Sequence, residues 1–350
     1  MHFYKADKVS AALFSVLLLL FGLFFAGAAF LRAAAPVTPV AEVVSGTGAD
    51  AFVSEAASFL SFPEETPPPD EETRVFEEVA ASCFVMTPDG YGAVREETRE
   101  VTADFVSSDG LCAVTNKTLT SLSLDLDALL ASFSPTEGAP TVVVFHTHTS
   151  EGYAPQDNGL YRLGDDGLTG ASDKNGVVAV GEALCEELTR WGVKAVHLTE
   201  VFDSPSRSGA YTRSCEAVEE KVKSLGKVDL AIDLHRGVLQ QSGGDRVKPT
   251  LLVSGKKTAQ ITLIGACDLS NDRLTDWRER LVPTLAVERA LCSLSPQLAL
   301  PVALENRVSP FTLPVPCLVA EIGTDVNTLP EAQRAAKLLG EAVAEVMNSE

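Results

Sequence analysis

Hydrophobic and polar positions follow three different patterns along the chain. Val9–Phe30 is predominantly apolar and contains no charged residue, whereas the next fifty or so residues show no regular period. From Thr141 onward, short runs of β-branched residues alternate with longer segments whose apolar residues recur every three to four positions. Strands that alternate with helices predict an α/β domain, with a central, largely parallel sheet flanked by helices.

The individual elements follow from these periods. The lead-in before Thr141 is less regular and predicts only a short β segment near Gly110–Val114 and a helix near Leu124–Ser132. Thr328-Leu-Pro-Glu331 has the pattern of a capping box and predicts the start of the last helix. The predicted strands are Thr141–Phe145, Lys194–Leu198, Val228–Asp233, Thr250–Val253, Gln260–Ile264 and Cys317–Ala320, and the other helices lie near Asn175–Trp191, Ala210–Leu225 and Thr275–Leu294.

The N-terminal pattern predicts the organisation of the whole chain. The uncharged run is long enough to cross about 30 Å of hydrocarbon as a helix, and Lys5 and Lys8 before it favour a cytoplasmic N-terminus. A cleaved signal peptide ending near Ala33-Ala34-Ala35 is the alternative. We therefore expect a cytoplasmic N-terminus (1–8), a transmembrane anchor (9–32), a disordered Pro-rich and acidic linker (33–82), a lead-in segment (83–137) and an extracytoplasmic catalytic domain (138–350).

Charge and cysteine content narrow the class of protein. The chain has 48 Asp and Glu against 28 Lys and Arg, a formal net charge of -20, which argues against nucleic acid as a partner. Its seven cysteines are odd in number and form no C-x-x-C pair. In a protein that faces the outside, this pattern indicates free thiols rather than a disulfide framework.

Candidate chemistry is concentrated where three predicted strands end. His146, His148 and Glu151 follow the first strand, His235 follows Asp233, and Glu321 follows the last strand. The carboxyl ends of parallel strands meet at one edge of the sheet, so these side chains can converge. Two imidazoles and one carboxylate form a typical ligand set for a catalytic Zn²⁺ that keeps one position open for water.

Roles within this cluster follow from spacing. The H-x-x-E pair makes His148 and Glu151 the preferred zinc ligands together with His235, while Glu321 is the candidate general base. His146 is expected to contact the substrate or support the ligands, and the reverse assignment, with His146 as the ligand, stays open. His197 lies inside a predicted strand and is interpreted as a core or edge residue.

With these residues placed, the chain resembles the stage II sporulation protein P family of endospore-forming bacteria. The resemblance covers about Gly138–Met347, with a similar anchor and linker before it. It rests on motifs that occur in one order: His146-Thr-His148-Thr-Ser-Glu151-Gly-Tyr, Asp173-Lys-Asn175 with Val180-Gly181, Gly209-Ala-Tyr211-Thr-Arg213-Ser214, Asp233-Leu-His235-Arg236, Arg246-Val-Lys-Pro249-Thr, Asp276-Trp277-Arg278-Glu279, and Glu321-Ile-Gly323 with Asn327-Thr-Leu.

The resemblance implies a membrane-anchored zinc N-acetylmuramoyl-L-alanine amidase. Such an enzyme cuts peptidoglycan between the lactyl group of muramic acid and the stem peptide, with a second cut within the stem as a further expectation. It implies sporulation proteins D and M as partners during engulfment. This sequence departs from the family at Gly237, where an acid is usual, and in the segment Glu305–Pro310, which places the details of the substrate groove in question.

Two other functions fit parts of the pattern. A zinc carboxypeptidase that acts on cell-wall peptides has the same ligand order, and Arg236 or Arg213 would then bind the free carboxylate of its substrate. A catalytically inactive wall-binding protein is the alternative from a different class. The intact set of His148, Glu151, His235 and Glu321 argues against it.

Overall fold

The computed structural model describes residues 87–134, 138–164, 167, 174–269 and 273–349. The predicted anchor and linker lie outside these ranges. Among the helices formed by the described residues, none is long and apolar enough to cross a membrane.

The strands in these ranges are β1 (Tyr91–Glu97), β2 (Phe105–Val106), β3 (Ala113–Asn116), β4 (Thr141–Phe145), β5 (Leu160–Arg162), β6 (Lys194–His197), β7 (Leu230–Gly237), β8 (Arg246–Val253), β9 (Lys256–Ala259), β10 (Ile261–Cys267), β11 (Ala299–Asn306) and β12 (Cys317–Thr324). The helices are α1 (Leu126–Ala131), α2 (Val177–Arg190), α3 (Ala210–Leu225), α4 (Trp277–Leu294) and α5 (Leu329–Asn348).

The larger of two sheets has the strand order β2-β3-β11-β10-β12-β7-β4-β6. Strands β6, β4, β7 and β12 are mutually parallel, as are β3, β11 and β10. The two parallel groups meet where β10 runs antiparallel to β12, and β2 is antiparallel to β3 at the edge. The predicted α/β architecture is therefore confirmed, but the sheet is mixed.

Helices cover this sheet through the apolar stripes that the sequence indicated. α2 buries Val177, Val180, Leu184 and Leu188 and packs against α5 and β6. α5 starts with the predicted capping box at Thr328 and also packs against α4. Trp191, the last residue of the predicted helix, is 49% exposed, because it is the C-cap residue and lies beyond the last helical turn.

Of a second sheet, of order β5-β1-β8-β9, the sequence predicted only Thr250–Val253, the second half of β8. The first half of β8 lacks a clear apolar period, because it contains Lys248, whose side chain is 1% exposed. The ammonium group of Lys248 lies 2.7 Å from Glu331 and 2.8 Å from Asp157. These ion pairs allow a charged residue inside the fold, and a charge at that position hides the first half of β8 in the sequence pattern.

The lead-in segment contributes strands to both sheets. β1 pairs with β8 in the second sheet, and β3 pairs with β11 in the first. β11 was also missed, because Pro301 interrupts its pattern. The register between β10 and β11 shifts between Thr262 and Ile264, opposite this proline, and irregular positions of this kind tolerate proline in a strand. Residues 87–134 are thus part of the same compact unit as the predicted catalytic domain.

Candidate metal and catalytic site

Three neighbouring parallel strands bring the predicted site residues together. β7 lies between β4 and β12, and all three run in the same direction. The segment that leaves β4 carries Glu151 to the carboxyl end of β7, where His235 lies. Glu321 on β12 is in register with His235, so both side chains are on the same face of the sheet.

Glu151 and His235 form the centre of the site. Glu151 Oε2 lies 3.2 Å from His235 Nδ1 and accepts a hydrogen bond from the Arg236 backbone N–H at 3.2 Å. Two ligands of one tetrahedral zinc ion, each about 2.0–2.2 Å from the metal, are about 3.4 Å apart. Burial would raise the pKa of Glu151, but the charges of His235 and Arg236 outweigh it and lower the pKa to about 2.

Asp233, which the sequence analysis did not assign to the site, supports His235 from behind. Its Oδ2 lies 3.0 Å from His235 Nε2, and its carboxylate accepts hydrogen bonds from the Thr147 backbone N–H and hydroxyl, both at 2.8 Å. Burial would lower the pKa of His235, but Asp233 and Glu151 raise it well above its usual range. Asp233 lies beside Nε2 and Nδ1 is directed toward Glu151, as in carboxylate–histidine–metal sites, where the ligating imidazole is neutral.

His148 is the third candidate ligand. Its ring lies 5.4 Å from the His235 ring and 5.6 Å from the Tyr211 ring, measured between centroids. Its Nδ1 is buried and has no hydrogen-bond partner among the described residues. Burial and the neighbouring His235 lower the pKa of His148, so the imidazole is neutral and can donate a lone pair.

These residues fit a metal ion in two respects, the chemical type of their donor atoms and the spacing of one pair of ligands. Within the described ranges, no group of three or more His, Cys, Asp or Glu side chains is arranged to hold a metal ion as it stands. The Glu151–His235 spacing and the unpartnered Nδ1 of His148 nevertheless match what zinc requires. The zinc assignment is therefore a proposal.

His146 has a different environment from His148. It is fully buried, its Nδ1 lies 2.9 Å from the Leu234 carbonyl oxygen, and its Nε2 lies 2.8 Å from His197 Nε2. Because a carbonyl oxygen only accepts, Nδ1 carries the proton and Nε2 accepts from His197. Burial and the neighbouring His197 lower the pKa of His146 to about 3. Both ring nitrogens are thus occupied by protein partners.

Glu321 is positioned by an irregularity in β12. The register with β7 shifts between Glu321 and Thr324, and Gly323 has a φ of +61° in this bulge. Bulges next to active sites re-aim side chains. Burial raises the pKa of Glu321, and the charge of His235 partly opposes this effect. Gly237 leaves room for the carboxylate, since a Cβ there would lie 3.1 Å from Glu321 Oε2.

The two arginines that the sequence analysis assigned to substrate binding are bound to the protein backbone instead. Arg236 donates from Nε to the Gly152 carbonyl at 2.8 Å and from Nη2 to the Gly167 carbonyl at 3.0 Å, and it is buried. Arg213 donates all three of its side-chain nitrogens to carbonyls of the loop before α3. Their assignment as substrate contacts is therefore not supported by their positions.

Other charged and aromatic groups, not identified from the sequence, border the site. Arg207 Nη2 lies 3.3 Å from Glu151 Oε1. Arg307 donates from Nη2 to the Tyr211 hydroxyl at 2.8 Å and lies 3.4 Å from Glu305. Both arginines are distant in sequence from the ligand motifs, so no local signal in the sequence could have placed them here.

The comparisons with known proteins agree with this arrangement at the level of the family. The model of the family "Stage II sporulation protein P (SpoIIP)" matches residues 87–344. The chain belongs to this family. The match begins at residue 87, so it includes the lead-in strands as well as the strand-end motifs. A search of the curated proteins found no match.

Several solved amidase structures are similar to parts of this chain. The CwlD amidase of Clostridioides difficile, solved in complex with the GerS lipoprotein, has 10% identity and a TM-score of 0.36, covering 60% of this chain and 100% of that one. The N-acetylmuramoyl-L-alanine amidase AmiC2 of Nostoc punctiforme has 15% identity and a TM-score of 0.31, covering 61% and 97%. The catalytic domain of the amidase CwlV from Bacillus (Paenibacillus) polymyxa has 11% identity and a TM-score of 0.30, covering 59% and 96%. At these scores the similarity supports no inference about activity.

Proposed function

We propose that the chain is a zinc-dependent N-acetylmuramoyl-L-alanine amidase that acts on peptidoglycan. The observation that carries the proposal is the 3.2 Å Glu151–His235 pair, with Glu321 in register beside it on the neighbouring strand. His148, Glu151 and His235 would hold the metal. Zinc, when bound, would supply Lewis-acid polarisation of the scissile carbonyl and a more acidic water.

Glu321 would act as the general base and then as the general acid. Its carboxylate takes a proton from the attacking water and delivers it to the leaving nitrogen of the amide. A carboxyl group whose pKa is raised by burial holds that proton more readily between the two transfers than a solvated one does. Asp233 would keep His235 in the tautomer that presents Nδ1 to the site.

The Glu321→Gln variant tests this role. Glutamine keeps the size of the side chain but cannot accept a proton, so release of soluble fragments from purified peptidoglycan should fall about 10²–10⁴-fold. Glu345→Gln is the control, because Glu345 is an exposed carboxylate near the end of α5, far from the site. Near-normal hydrolysis by Glu321→Gln, or an equal loss in both variants, would assign the base elsewhere.

Elemental analysis tests the metal assignment separately. We expect one zinc ion per chain in the wild-type protein and in Glu321→Gln, and loss of zinc in His235→Ala. His197→Ala is the matched control, since His197 also lies on a strand of the large sheet but contacts His146. Full zinc content in His235→Ala would contradict the ligand set.

The proposal also covers where the protein is located in the cell and which proteins it works with. We propose that Val9–Phe30 anchors the protein in the membrane, with the catalytic domain outside the cytoplasm and with sporulation proteins D and M as partners. The uncharged length of this segment and the lysines before it support the orientation. Protease added to intact protoplasts should remove the C-terminal domain and leave a small membrane fragment. A mature N-terminus near Pro36 in the soluble fraction would instead indicate a cleaved signal peptide.

A further inference from the structure

The loop between β6 and α3 is fixed to the segment that carries the candidate ligands. The Thr149 hydroxyl donates to the Glu200 carbonyl at 3.0 Å, and the Phe202 backbone N–H lies 3.2 Å from the same hydroxyl. Asp203 accepts a hydrogen bond from the Ser150 backbone N–H at 3.1 Å. Residues 200–203 are therefore held against the turn that leads to Glu151.

The other half of this loop is held by Arg213 on α3. Its guanidinium group donates to the carbonyls of Phe202, Ser206 and Ser208, at 2.6, 2.5 and 3.2 Å. These three bonds surround Arg207, whose own backbone is thus fixed on both sides. An exposed loop with this many internal bonds presents its side chains in a defined position, which lowers the entropy cost of binding a ligand.

Arg207 differs from the other arginines near the site in what its side chain contacts. Its one polar contact among the described residues joins Nη2 to Glu151 Oε1 at 3.3 Å, and the side chain is 46% exposed. By contrast, the guanidinium nitrogens of Arg213, Arg236 and Arg307 are all bonded to protein oxygens. Arg207 therefore keeps hydrogen-bond donors directed to solvent beside the candidate metal ligands.

Charge and distance indicate what these donors would bind. With a net charge of -20, the protein surface repels anions in general, so a local positive group is needed to receive one. In a peptidoglycan stem, the second residue carries a carboxyl group next to the residue whose amide is cut. That carboxyl group lies two residues from the scissile carbonyl, at most about 7 Å along an extended chain. Arg207 Nη2 lies 3.3 Å from the candidate metal ligand Glu151, so its exposed guanidinium is within this reach of a carbonyl bound beside Glu151.

We propose that Arg207 binds the carboxylate of the second stem residue, so that the site discriminates against stems in which this carboxyl group is amidated. The proposal rests on the proposed amidase function. A guanidinium group forms paired, charge-assisted hydrogen bonds with a carboxylate, whereas a neutral carboxamide also directs N–H donors at it. Arg207 is thus a specificity-determining residue, separate from the groups that carry out the chemistry.

The test compares two purified peptidoglycans that differ only in whether this carboxyl group is free or amidated. The full-length wild-type protein should release stem peptides from the free-carboxyl wall with a kcat/KM about 10-fold higher. In Arg207→Gln this ratio should fall to about 1. The ratio is the readout, because any effect of the variant on Glu151 changes both substrates equally.

Two further variants keep the test decisive. Arg207→Lys retains the charge but not the forked arrangement of donors, so its kcat/KM ratio should lie between those of the wild type and Arg207→Gln. This variant replaces Arg207→Gln in the test if Arg207→Gln folds poorly. Arg190→Gln is the matched control. Arg190 is also an exposed arginine 3.3 Å from a nearly buried carboxylate, that of Glu187, but it lies at the end of α2. It should keep the wild-type ratio.

The outcomes separate this proposal from the proposed function. Equal wild-type hydrolysis of both walls, or a preference that persists in Arg207→Gln and Arg207→Lys, would overturn the role of Arg207 while leaving the amidase intact. Release of single amino acids from stem ends, with loss in Arg207→Gln, would assign Arg207 to a terminal carboxylate and overturn the proposal. Absence of hydrolysis of either wall by the wild-type protein would contradict the amidase function itself.

Discussion

Gly323 should be intolerant of a side chain because it combines a left-handed backbone with a close approach. Its φ is +61°, and a Cβ at this position would lie 2.5 Å from Asn327 Oδ1 and 2.9 Å from the Ala259 Cβ. Gly323→Ala therefore forces Asn327 to move. Asn327 is fully buried and makes hydrogen bonds to the Thr324 backbone N–H at 2.8 Å and to Thr250 Oγ1 at 3.1 Å.

The expected loss of stability follows from these contacts. The left-handed conformation costs an alanine about 1 kcal/mol. Loss of the two Asn327 hydrogen bonds adds about 1 kcal/mol each, which gives about 3 kcal/mol in total. Gly192→Ala is the matched control, because Gly192 also has a positive φ, of +83°, but nothing lies within 4 Å of its Cβ position. It should lose about 1 kcal/mol.

Urea denaturation of both variants measures the difference between their losses of stability. Hydrolysis of peptidoglycan by the folded protein measures the effect of each substitution on Glu321. We expect Gly323→Ala to lose more activity per folded molecule than Gly192→Ala, because the bulge sets the direction of the Glu321 side chain. Equal losses of stability in the two variants would refute the close-approach argument. Full activity of folded Gly323→Ala would refute the role of the bulge.

Two further substitutions test buried polar groups. Gly181→Ala should destabilise the protein by about 1–3 kcal/mol in urea, although alanine normally favours a helix, because its Cβ would lie 2.6–2.7 Å from the His146 and His197 rings. Burial raises the pKa of Glu288 to about 7, so the folded protein keeps a proton that the unfolded chain releases near pH 4.5. The free energy of unfolding should therefore fall by up to about 3 kcal/mol as the pH rises from about 4.5 to about 7. Glu288→Gln should abolish this pH dependence.

The convergence of the site could be predicted because it depends on a simple property of parallel strands. His148 and Glu151 follow β4, and His235 and Glu321 lie in the carboxyl-terminal halves of β7 and β12. The carboxyl ends of such parallel strands meet at one edge. The choice between His146 and His148 needed the structure. Only there is it visible that His146 uses both nitrogens within the core.

Features that depend on contacts between distant residues could not be predicted. Lys248 makes the first half of β8 look polar, so that only Thr250–Val253 was predicted, and its partners Asp157 and Glu331 lie far away in the sequence. Arg213 and Arg236 looked available for substrate binding, because the sequence does not show that backbone carbonyls bind them. For these residues the local sequence pattern contains no information about the partner, so the structure was required.

Mass spectrometry of the fragments that the full-length protein releases from purified peptidoglycan tests the central claim most directly. The account predicts stem peptides with a free amino-terminal alanine and glycan strands with free lactyl carboxylates, with both products reduced about 10²–10⁴-fold in Glu321→Gln. Release of single amino acids from the stem ends, or stems that remain amide-linked to muramic acid, would contradict it.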